Sequence, residues 1–179
     1  MSRSRILLCL ILLFSLAGES QALRRRDAEG PEPAKLRRSG ENLRQLFFGQ
    51  AVLREARRHL GEPYVWGAKD GKEGFDCSGY TQYVFKTFGV ELPQNSLGQY
   101  QQGIPIEKPS LMPGDLVFFA SSRAPLHVGI YEGNMAFLHA PSDGKVISEG
   151  SMEKGYFADR YIGARRFIQN PSPAKETQP

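Results

Sequence analysis

"GFDCSGYTQYVFKTFGV", residues 74–90, sets an aspartate and then a cysteine at the head of a helical pattern. Asp76 is a good N-cap, Gly89 suits the position after the last turn, and Cys77, Thr81, Val84 and Phe88 recur on one face. The spacing predicts a helix over 77–88 with the thiol in its first turn. There the unpaired N–H groups and the positive end of the helix dipole favour a thiolate, so the expectation is a lowered pKa. Such a cysteine can pack, ligate a metal or attack a carbonyl, and the rest of the chain decides among these.

The amino terminus changes the cysteine count. Arg3 and Arg5 precede an apolar run, Ile6 to Leu16, followed by a small-residue step at Ser20-Gln21-Ala22. That is the pattern of a secretory signal peptide over 1–22, with an apolar run short for a membrane span. Glu19 stands where a lipidated cysteine would be, so a soluble exported protein is expected rather than a lipid-anchored one. Cys9 leaves with the signal. Cys77 is then unpaired, and a lone thiol in an exported protein is a liability unless it is buried or used.

Charge is segregated. Residues 49–168 carry 13 basic and 13 acidic side chains, whereas 23–48 carry 7 against 4. The sequence pI near 9.1 therefore describes an arm rather than a binding face. No basic surface of the kind that holds nucleic acid is expected. Residues 23–42 are polar and proline-bearing and predict a disordered basic linker, as do 169–179 for the tail. Simple reach is the plainest role for that arm, and weak contact with membrane or wall polymer is the other.

The folded part is expected over 43–168. Val52, Leu53, Ala56 and Leu60 recur at helical spacing until Gly61 and Pro63, with His59 structural or solvated in the last turn. Ser96 is expected to cap a short helix ending at Gly103. Strands are expected at 116–120, 126–132, 135–140, 146–148 and 164–168, the second and third forming a hairpin through Glu132-Gly133-Asn134. Helices first and strands afterwards predict an α+β domain, with N-terminal helices packed on a central antiparallel sheet.

That hairpin brings chemistry together. His127 opens one strand and His139 closes the other. Pairing around Gly133-Asn134 sets 127 opposite 139 or 140, which makes the imidazoles neighbours. A cysteine at a helix start, a base and a group that orients the base form the logic of a thiol nucleophile, with helix N–H groups to receive the oxyanion. Asp76 is better placed as cap than as third member, a role that falls to His139. Zinc is the competing use of Cys77, His127 and His139, but there is no CxxC, no HxxxH and no evident fourth ligand, so no metal and no cofactor are expected.

In order along the chain, "PYVWGAKDGKEGFDCSGYTQYVF" (63–85), "LPQNS" (92–96), "MPGDLVFF" (112–119), "HVGIYEGNMAFLHAPSDGKV" (127–146) and "RYIGARR" (160–166) resemble the NlpC-type family of bacterial cell-wall cysteine peptidases, and most of all its short exported murein endopeptidases. The resemblance covers about 49–168. It implies a circularly rearranged papain-like fold, Cys77 as nucleophile, His127 as general base and acid, and His139 as the residue that orients it. It also implies Tyr64 near the oxyanion site, although by spacing alone Tyr64 and Trp66 could equally be core aromatics. In some relatives the residues flanking the cysteine, here Asp76 and Ser78, help bind a free amine of the substrate. The chain departs from the family pattern at Ala68, at Gln94 and in the charged stretch from Ala68 to Glu73, positions that the resemblance sets at the border of the substrate groove.

The function so implied is hydrolysis of an amide bond in murein stem peptides by a monomer in the periplasm or cell envelope. The D-Ala–diaminopimelate crosslink is the first choice of bond and the γ-D-Glu–diaminopimelate bond the second. An antibacterial cell-wall amidase effector and a silent wall-binding module are the alternatives.

Overall fold

The computed structural model describes residues 34–69, 73–122, 126–142 and 145–168, with backbone alone for 34–38. The expected signal peptide (1–22), residues 23–33 of the expected linker and the tail (169–179) lie outside the described residues. The chain divides into two units, 1–42 and 43–179, and the sheet and site belong to the second.

Three α-helices come first: α1 (Ala34–Arg57), α2 (Cys77–Lys86) and α3 (Ser96–Gln102). Helix α1 starts inside the stretch 23–42 that was expected to be disordered. Beyond Pro33 the run of Ala, Lys, Leu and Arg has high helix propensity, and no proline stands between it and the apolar half. Val52, Leu53 and Ala56 on α1 are buried. His59, just past its end, is held by Glu62 at 2.9 Å and lies edge-on to Phe75 and Tyr83, a structural role. Helix α3 is capped by Asn95, which accepts from the Gly98 N–H at 2.8 Å, and not by Ser96. Ser96 instead donates to the Leu126 carbonyl at 2.7 Å.

Six strands follow: β1 (Ile104–Ile106), β2 (Leu116–Phe119), β3 (His127–Gly133), β4 (Ala136–His139), β5 (Ser148–Ser151) and β6 (Tyr161–Arg166). They form one antiparallel sheet in the order β1-β6-β2-β3-β4-β5. Alternation divides its side chains between two faces. Leu116, Phe118, Val128, Ile130 and Leu138 pack against the helices. Val117, Phe119, Tyr131 and Phe137 pack on the other face with Met152, Phe157 and Tyr161. Both faces of the central strands are therefore dry, which is why β2 is an unbroken apolar run. Asp115, fully buried ahead of β2, takes two hydrogen bonds from Arg166 of β6, at 2.7 and 2.8 Å, and so ties that strand's end to the β2 turn.

The hairpin register differs from expectation. The tight turn is at Asn134-Met135, both at positive φ (49° and 60°), one residue later than Gly133-Asn134. Gly133 faces Ala136, the ladder shifts, and then Tyr131 faces Phe137 and Ile130 faces Leu138. His127 and His139 are accordingly not cross-strand partners. They remain on one face, two places apart along the ladder, close enough for a diagonal contact.

Candidate active site

Cys77 is the first residue of α2. The Asp76 carboxylate accepts from the Gly79 N–H at 2.6 Å and the Ser78 hydroxyl at 3.0 Å, satisfying donors the helix leaves open. Its other oxygen accepts from the Gly67 N–H at 3.1 Å, which fastens the segment bearing Tyr64 and Trp66 to the same helix end. Tyr80, Thr81, Val84 and Phe85 anchor α2 in the core. Tyr80 donates to the Ala56 carbonyl at 2.9 Å, and Thr81 to Gln99 at 2.9 Å. Gln99, fully buried on α3, also donates to the Ser78 carbonyl, so the turn that carries the thiol is held from two helices.

The two imidazoles meet. His127 Nε2 lies 2.7 Å from His139 Nδ1, with the rings nearly perpendicular. Phe157 packs on both, its ring centroid 5.9 Å from His127 and 5.0 Å from His139, and Phe137 lies 4.9 Å from His139. The pair is thus walled by aromatics, with His127 Nδ1 left for another partner. Backbone N–H groups of Val128, Ser78 and Cys77 itself reach the thiol. Val128 directly follows His127, so the sulfur sits beside the start of β3.

Cys77 and His127 line one cleft of about 580 Å³, and Tyr64 forms part of its wall. Tyr64 also packs on the core, so its ring is shared between the cleft wall and the core cluster. Trp66 is 64% exposed at the rim and is no core aromatic. Asp76 and Ser78 are not among the residues lining the cleft; their polar atoms are turned to the helix cap. Among the described residues no group of three His, Cys, Asp or Glu side chains is placed to hold a metal ion.

Burial sets the protonation states. It pushes the Cys77 thiol up to about 11, the Asp76 charge adding to the rise, and the N–H groups around the sulfur only partly offset this. Burial therefore opposes the lowering expected from the helix N-terminus, and desolvation outweighs the N–H groups around the sulfur. Burial lowers His127 to about 4. It lowers His139 to about 3, with the charges of His127 and Lys145 contributing. Burial thus favours the uncharged thiol and the uncharged imidazoles.

Sequence reasoning missed Phe157, Tyr156, Lys145 and the serines Ser121, Ser122 and Ser142 of the cleft wall. Phe157 and Tyr156 lie between β5 and β6 where no periodicity marks an element. Lys145 lay within a quoted motif, but only the folded chain shows it turned to the cleft.

Residues 61–166 match the NlpC/P60 family. The chain is 34% identical over 124 residues to the murein DD-endopeptidase MepH of Escherichia coli, covering 66% of this chain and 46% of that protein. It is 34% identical over 129 residues to a gamma-DL-glutamyl hydrolase of Bacillus subtilis, covering 70% and 31%. The chain spans less than half the length of these curated relatives. Among solved structures, the crystal structure of the NlpC/p60 domain of the peptidoglycan hydrolase SagA matches with a TM-score of 0.59 and 36% identity, covering 66% of this chain and 98% of that one.

Proposed function

The chain belongs to the NlpC/P60 family, with its α+β papain-like fold, and on that premise we propose that it is an exported peptidoglycan endopeptidase working through Cys77. The observation that carries this is the 2.7 Å bond between His127 and His139 beside a cleft that also holds the thiol. A general base must present a lone pair to the nucleophile. If His127 Nε2–H donates to His139 Nδ1, the lone pair of His127 is on Nδ1, free to take the thiol proton.

Burial favours the uncharged thiol and imidazole, which suits transfer of the proton as the sulfur attacks. Cys77 Sγ adds to the scissile carbonyl, and its proton passes to His127. The oxyanion is received at the N-terminus of α2 near Tyr64. His127 then protonates the leaving amine, the C–N bond breaks, and a thioester remains. Water, deprotonated by His127, releases the acid and restores the thiol.

The substrate is an amide bond in murein stem peptides, with the D-Ala–diaminopimelate crosslink first. The murein endopeptidase relative supports that choice, and the gamma-DL-glutamyl hydrolase supports the γ-D-Glu–diaminopimelate bond as second. The basic, apolar and small-residue pattern of 1–22 supports action in the periplasm or cell envelope. Purified muropeptides digested by wild type and by Cys77→Ala, followed by mass spectrometry, test this. New fragments with wild type alone are expected, and their masses identify the bond. Equal cleavage by the variant overturns the assignment.

A further inference from the structure

Among the described residues lining the cleft, Lys145 alone carries a permanent charge. Its backbone is fixed. The Lys145 N–H donates to the Ser142 carbonyl at 3.1 Å, and its own carbonyl accepts from the Tyr64 N–H at 2.9 Å. Two residues on, the buried Ile147 exchanges hydrogen bonds with Gly61 and Glu62, at 3.0 and 2.8 Å. Lys145 therefore belongs to the same wall as Tyr64, within electrostatic range of the His127–His139 pair. Among the described residues no carboxylate is paired with it. Ser142, beside it on that wall, supplies a hydroxyl.

An ammonium and a hydroxyl on one side of a cleft with no carboxylate among its described lining residues match an ionised carboxylate. We propose that Lys145, with Ser142, is a carboxylate-binding subsite that selects substrates bearing a free carboxyl beside the scissile amide. This rests on the stem-peptide reading above. Stem peptides carry such carboxyls on D-glutamate and diaminopimelate, and an amidated stem would leave the ammonium without a counter-charge.

The test uses one crosslinked stem peptide in two forms, with these carboxyls free or amidated. Wild type is expected to have a kcat/KM about tenfold or more higher for the free acid, the scale of a charge-assisted hydrogen bond. Lys145→Met should lower the free-acid value to that of the amidated peptide, and Lys145→Arg should restore most of the preference. A wild-type ratio near one, a ratio that survives Lys145→Met, or an equal fall on both peptides overturns the subsite.

Calorimetry on Cys77→Ala, with and without Lys145→Met, reads the same discrimination as binding. Discrimination in binding without cleavage by wild type would sink the endopeptidase reading and keep the subsite. Cleavage by wild type without discrimination does the reverse.

Discussion

His127 Nε2 and His139 Nδ1 are 2.7 Å apart although the two residues do not face each other across the β3–β4 ladder. The contact is diagonal, on the face that Phe137 and Phe157 keep dry. Dryness makes the bond strong and leaves few substitutes for it. His139→Ala should lower kcat about 10- to 100-fold with little change in KM, the cost of one orienting hydrogen bond to a group that becomes charged. His139→Asn, whose amide oxygen can accept from Nε2–H, should recover much of that loss. Steady-state kinetics on a muropeptide check both, and equal activity of the Ala and Asn variants would show that orientation is not what His139 supplies.

The same burial predicts acid lability. The folded pKa values of His127 and His139 lie below the ordinary 6.5, at about 4 and about 3. Above pH 6.5 neither folded nor unfolded chain binds these protons, and stability is complete. As pH falls below 6.5 the unfolded chain takes up protons that the folded chain refuses, so stability drops until the folded pKa is reached. At pH 5 the loss is about 2 kcal/mol per histidine, at 1.4 kcal/mol per unit. Urea unfolding at pH 7 and pH 5 measures it. His139→Asn should show a shallower pH dependence than wild type.

Much of this site could be read from residue order, for reasons of range. The helix cap and the thiol are adjacent in sequence, so local chemistry sufficed. The histidine pair survived a register error because its contact needs only that both residues share a face. What escaped was set by partners distant in sequence. Strand β1 is three residues with Pro105 at its centre, tolerable only because it lies at the sheet edge. Strand β6, the last in sequence, lies between β1 and β2, an order no local pattern encodes. The burial that opposes the dipole at the thiol escaped for the same reason: a dipole is local, whereas desolvation comes from the whole fold.

Asp76 acts on stability and on reactivity in opposite directions. Its carboxylate caps α2 and holds Gly67, so Asp76→Ala should cost about 1–2 kcal/mol. After burial, its charge is also the main cause raising the Cys77 pKa. Asp76→Asn keeps an oxygen for the cap but removes the charge. The midpoint of iodoacetamide alkylation against pH should therefore move below that of wild type, while Tm falls less than in the Ala variant. An unmoved midpoint would mean that the carboxylate charge does not reach the sulfur.

The two ends of α2 should answer differently to the same substitution. At Gly79 a Cβ would stand 2.2 Å from the Ala68 carbonyl oxygen, which already accepts from the Asp76 N–H at 3.1 Å. Backbone on that side cannot yield cheaply, so Gly79→Ala must push residues 67–68 away from the helix. That strains the Asp76–Gly67 bond and displaces the wall carrying Tyr64 and Trp66. A loss of about 1–3 kcal/mol is expected, the usual range for overpacking. At Gly89 nothing lies within 4 Å of an added Cβ, and the only cost is a positive φ of 73°. Gly89→Ala should lose about 1–2 kcal/mol for that left-handed backbone and leave the cleft untouched. Both variants should melt earlier, but at a temperature where each is fully folded only Gly79→Ala should lose kcat/KM. Thermal melts and kinetics on the same samples separate the two. Equal activity would mean that the 64–68 wall takes no part in holding substrate.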